Sequence, residues 1–99
     1  MFDIADNGIE IAALCRKLGV VRLDLFGSAT RDELSSASDV DVLVQFDRGR
    51  GGLFARYFDL KEGLESLFGR PVDLVVEDAI KNPYFRQAVE RTRKNVFAA

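Results

Sequence analysis

Apolar positions along this chain follow two rhythms, one of helical period and one of strand period. Ile11, Leu14, Cys15 and Leu18 recur at helical spacing and Gly19 follows as a stop, which predicts a helix over residues 8–18. Residues 20–26, VVRLDLF, set Val21, Leu23 and Leu25 against Arg22 and Asp24, the mark of a strand with two unlike faces that ends at Gly27. Residues 28–37 are rich in serine and other polar residues and read as a loop, with a short helical turn near Ser28 as an option. In residues 39–46, DVDVLVQF, one face is Val40, Val42, Val44 and Phe46, and the other is Asp39, Asp41, Leu43 and Gln45. A glycine-rich basic turn, DRGRGG, follows.

A longer helix is predicted over residues 53–68, with Leu53, Tyr57, Leu60, Leu64 and Leu67 as its inner stripe. Gly63 weakens it by about 1 kcal/mol relative to alanine, and Gly69 ends it. Residues 71–76, PVDLVV, repeat the strand pattern, with Val72, Leu74 and Val76 on one face and Asp73 on the other. Asn82 and Pro83 open a last helix whose inner stripe would be Phe85, Val89, Thr92 and Val96. The order is α-β-β-α-β-α, an α/β (α+β) class fold in which helices cover one apolar face of a small mixed sheet. The first two strands would pair antiparallel. The third follows a helix and would lie parallel to the second by a right-handed crossover.

Length and composition then narrow the function. A chain of 99 residues suits one domain, expected to span residues 1–99, with one core and one site at its rim. A net charge of −2 gives no general attraction to nucleic acid or to an anionic membrane, and neither is expected as a direct partner. Histidine is absent, which removes the commonest general base and zinc ligand. The single cysteine, Cys15, excludes an internal disulfide and reads as a core residue on the first helix's stripe. With no apolar run of membrane-spanning length and no signal pattern, a soluble cytoplasmic location is expected.

The aspartates carry the chemistry. Asp39 and Asp41 stand two apart in a strand, so they share a face with Cα atoms about 6.6 Å from one another. Aspartate is disfavoured in strands, and two like charges on one face repel. A metal ion removes the conflict, and Mg²⁺ accepts carboxylate oxygens while keeping waters and substrate phosphates in its shell. Asp73 has the same phase in the third strand. If those strands are neighbours, three carboxylates meet on one face, as a two-metal phosphoryl-transfer site requires. The plain alternative is a strand with one wet face. Gly27 and Ser28 stand at the end of the first strand, where free amides and a hydroxyl can bind phosphate. Arg31 can neutralise a phosphate, or simply be solvated as loop arginines usually are, and Ser38 can cap a turn or bond a phosphate oxygen. Arg48 and Arg50 can reach an anionic substrate, or simply solvate their turn.

Taken together, Gly27-Ser28, Arg31, Ser38-Asp39-Val40-Asp41 and Asp73 resemble the polymerase-beta-type nucleotidyltransferase signature. The spacing of GSATR to SDVDVLV is similar to that of the minimal nucleotidyltransferases, and KNPYFRQAVERTRKNVF looks like that group's terminal helix. The resemblance implies that Gly27 and Ser28 hold a triphosphate and that Asp39 and Asp41 bind two Mg²⁺ ions. Asp73 would hold one of these and help to deprotonate the acceptor. Asp32 and Thr30 depart from the usual pattern, and a carboxylate beside a phosphate loop would weaken nucleotide binding. The resemblance also implies an antitoxin that transfers AMP from ATP to a tyrosine hydroxyl of a HEPN-type toxin. Phe54, Phe58, Phe68 and Phe97 exceed what a thin core needs and offer a partner surface, or else pack in the core. The alternatives are a catalytically silent antitoxin that acts by binding alone, and a transferase for a small hydroxylated metabolite.

Overall fold

A computed structural model describes residues 7–27 and 39–99. Its elements are α1 (Gly8–Leu18), β1 (Val20–Leu25), β2 (Val40–Phe46), α2 (Leu53–Phe68), β3 (Val72–Val76), α3 (Pro83–Thr92) and β4 (Lys94–Ala98), with single 3₁₀ turns at Arg48–Arg50 and Glu77–Ala79. The sheet order is β3-β2-β1-β4. β1 pairs antiparallel with β2, and β2 pairs parallel with β3, as the sequence pattern implies.

The main core lies between one sheet face and the helices α1 and α2. Val40, Val42 and Val44 of β2 and Leu60 and Leu64 of α2 are all at most 1% exposed there. Cys15 is fully buried among them, and burial pushes its thiol up to about 12, so it is inert packing. Gly63, which costs helix propensity, has a packing reason: a Cβ there would meet Leu14 Cδ2 at 2.6 Å, so the glycine lets α1 and α2 approach closely. Arg56 is buried on the same helix. Its guanidinium donates to the carbonyls of Leu18, Gly19, Asp47 and Gly51 and lies over the Phe46 ring.

Three expectations change. A bulge between Val20 and Arg22 turns Val20 into the core and leaves Val21 exposed. The last helix stops at Thr92, because Arg93 takes an extended backbone, and residues 94–98 form a fourth strand against β1. Val96 therefore belongs to a strand and not to a helical stripe. Phe97, one of the surplus aromatics, is buried on β4. Phe68 packs partly buried against the core, whereas Phe54 and Phe58 remain exposed one turn apart on α2 with ring centroids 4.8 Å from each other. Finally, α3 lies over the second sheet face, where Val89 joins Phe26 and Leu43 in a separate small core. Leu43 shares its strand face with the aspartates, and its burial is what α3 supplies there.

Among the described residues, no helix is long and apolar enough to cross a membrane.

Candidate active site

The parallel pairing of β2 with β3 decides the geometry. Its register sets Val40 opposite Val72 and Asp41 opposite Asp73, so these two carboxylates are direct neighbours on one face. Asp39 immediately precedes β2 and is exposed, as is Asp73, while Asp41 is half-buried. Asp41 is held above the ordinary carboxylate range, first by burial and then by the negative charges of Asp73 and Asp39. The three groups thus lie near enough to repel. Among the described residues, no three acidic side chains close by themselves into a cage for an ion. The donor set still fits Mg²⁺. It is all hard oxygen, it carries charge that no described basic side chain pairs with at Asp41, and Mg²⁺ fills the rest of its shell with water and substrate phosphate.

Gly27 adjoins this group at the end of β1. It has φ +65°, and a Cβ there would lie 2.8 Å from Asp41 Oδ2, so glycine is needed both for the turn and for the approach of the carboxylate. The preceding Phe26 N–H donates to the Asp41 carbonyl at 3.1 Å, which ties the ends of the two strands together. The Gly27 amide itself donates to Thr92 Oγ1 at 2.9 Å. Ser28, Thr30, Arg31, Asp32 and Ser38 lie outside the described residues.

Arg48 and Arg50 are placed elsewhere. Both follow the C-terminal end of β2, whereas Asp41 stands at its start. Arg48 pairs with Asp78 at 3.0 Å, and Arg50 donates to the last carbonyls of α1 at Arg16 and Lys17. They serve the opposite rim of the sheet. A cation that sequence reasoning missed lies nearer. Lys61 of α2 bonds Glu65 at 3.0 Å, and Glu65 in turn accepts from the Val72 amide at the start of β3. Lys61 is raised mainly by its bond to Glu65, with Asp39 among the lesser causes. The i,i+4 spacing of Lys61 and Glu65 was legible, but their place beside the start of β3 was not.

The model of the nucleotidyltransferase domain family matches residues 11–95. The chain belongs to that family. This nucleotidyltransferase is 39% identical over 69 residues to the protein adenylyltransferase MntA of Thermococcus cleftensis, an alignment covering 70% of this chain and 68% of the relative. A solved structure described as a minimal nucleotidyltransferase superposes with a TM-score of 0.76 at 35% identity, covering 92% of this chain and 90% of its own. A complex of a tri-AMPylated HEPN toxin of Shewanella oneidensis with its MNT antitoxin shares the fold, with a TM-score of 0.65 at 22% identity, over 98% of this chain and 74% of that one. The nucleotidyltransferase is therefore an enzyme of the minimal, polymerase-beta-type group, and the expected fold class and activity class stand.

Proposed function

We propose that this nucleotidyltransferase moves AMP from ATP to a hydroxyl, that of a tyrosine, on a HEPN-type toxin, and so acts as the antitoxin of a pair. The observation that carries the reading is the in-register pair Asp41 and Asp73 beside Gly27, with Asp39 one strand repeat away. Family membership and the name of the Thermococcus relative support a protein acceptor, and the Shewanella complex supports the kind of partner.

Asp39, Asp41 and Asp73 would hold two Mg²⁺ ions, which when bound polarise the α-phosphoryl group and neutralise the departing pyrophosphate. The chain's own residues do the rest. Gly27 and Ser28 receive the triphosphate at the end of β1, with Arg31 and Ser38 as further phosphate contacts. The acceptor oxygen bonds to the α-phosphorus as the bond to the bridging oxygen breaks and pyrophosphate leaves. Asp73, exposed on the outer strand of the pair, takes the hydroxyl proton.

The test uses ATP labelled at the α- or the γ-phosphate, Mg²⁺, and the purified protein with its co-purified partner. The reading expects α-label alone on the partner, and none with Asp39→Asn or Asp41→Asn. Transfer retained in either variant contradicts it. Neutralisation of the partner without any label would replace it with binding alone.

A further inference from the structure

We propose that Thr92 is a positioning residue for the transfer reaction, acting through Gly27 on Asp41; the inference rests on the adenylyltransferase reading above. Thr92 is the last residue of α3 and touches none of the three aspartates in the contacts of the described residues. Its hydroxyl accepts the Gly27 N–H at 2.9 Å and donates to the Ala88 carbonyl at 3.0 Å. A threonine bonded back into its own helix in this way has its rotamer fixed, so its lone pair is a defined point in space.

That point fixes the peptide entering Gly27. The Cα of the same residue adjoins Asp41, whose Oδ2 lies 2.8 Å from where a Cβ would stand. Gly27 is thus set by a hydroxyl through its amide and forms, with its bare Cα, the wall against which the Asp41 carboxylate rests. Ser28, the expected phosphate ligand, follows it in the chain. A glycine with φ +65° has more freedom than any other residue, and such freedom at a reacting site costs precision unless something removes it.

The end of α3 is itself anchored. The neighbouring Arg93 donates to Asp24 Oδ2 at 2.7 Å, to Glu77 Oε1 at 2.9 Å and to Glu90 Oε1 at 2.6 Å. Asp24 belongs to β1, three residues before Gly27, and Glu77 follows the last residue of β3, the strand of Asp73. Arg93 therefore holds the end of α3 to both strands that flank β2, and Thr92 transmits that placement to the site. The Gly27 amide bonds Thr92 here, so Gly27 would serve the nucleotide by its shape.

The experiment compares Thr92→Val, which keeps the shape and loses the acceptor, with Thr92→Ser, which keeps the acceptor. The first readout is amide hydrogen exchange at Gly27 in ¹⁵N-labelled protein. The second is kcat and KM for ATP in adenylyl transfer, with Tm measured alongside. Thr92→Val is expected to speed Gly27 exchange and to lower kcat/KM about tenfold, the scale of one lost hydrogen bond. Thr92→Ser is expected to stay within about twofold of wild type in both. Unchanged Gly27 exchange in Thr92→Val overturns the proposal. So does a transfer defect that Thr92→Ser shares, or one that tracks Tm alone. Absence of transfer from the wild type removes the adenylyltransferase reading itself, a result separate from the exchange measurement.

Discussion

Asp24 and Asp41 lie on neighbouring strands, on the same face of the sheet, about one strand repeat apart. Asp24 is 1% exposed and accepts from Arg22, Arg93 and Asn95. Burial pushes its carboxyl up, but Asn95, Arg93 and Arg22 outweigh burial and hold it below the ordinary range. Asp41 is less buried, yet it is held above that range by burial, Asp73 and Asp39 together. Among the described residues, the same residue type on the same surface is met by basic side chains in one place and by carboxylates in the other. A carboxylate that serves the fold carries its own counter-charge, whereas one that serves a cation must not, because a resident arginine would compete for it.

The largest effect that separates the two is catalytic. Asp41→Asn should reduce AMP transfer by about 10³-fold or more, measured with α-labelled ATP at saturating Mg²⁺. Next is Arg93→Met, which strips the main cation from buried Asp24 and from Glu77 at once. It should destabilise by about 3–5 kcal/mol in urea unfolding, and adding Asp24→Leu should recover part of that loss, since the uncompensated charge is then gone.

A smaller effect has opposite signs at the two sites. Asp24 has a depressed pKa, so its stabilisation is complete above the ordinary carboxylate value and is lost as pH falls through its folded pKa. Asp41 has a raised pKa, so its ionised form costs stability at neutral pH, and that cost fades as pH falls through its folded value. Asp41→Asn should therefore stabilise at pH 7, read as a rise in Tm that shrinks as pH falls through the folded pKa of Asp41. A drop in Tm would deny that the carboxylate is strained by its neighbours. The smallest effect is expected at the exposed Arg48–Asp78 pair, where Arg48→Ala should change stability by about 0.5 kcal/mol or less and leave transfer untouched.

The shared face of the aspartates was legible because strand period alone assigns faces, and Asp39, Asp41 and Asp73 keep one phase in the sequence. Their adjacency followed from the crossover that a helix between two strands imposes. The second face was harder. Leu43 stands in phase with the aspartates and signals that this face is partly covered, but nothing local says that Val89 covers it. Asp24 reads from sequence as the wet side of β1, because its partners Arg93 and Asn95 are 69 and 71 residues away. The strand β4 was hidden for a related reason. Five residues after a helix are too few to show a period, and what makes them a strand is the free edge of β1. The role of Thr92 was hidden too, since a threonine on a predicted inner stripe looks like packing until its helix is placed.

Among the described residues no basic side chain pairs with Asp41, and on the proposed reading a cation takes that place. Carboxyl ¹³C NMR titration of Asp24 and Asp41, with and without Mg²⁺, tests it directly. Asp24 should titrate below the ordinary carboxylate value and ignore Mg²⁺, while Asp41 should titrate above it and fall when Mg²⁺ is added. An Asp41 that titrates no higher than Asp24, or that Mg²⁺ does not move, would contradict the account.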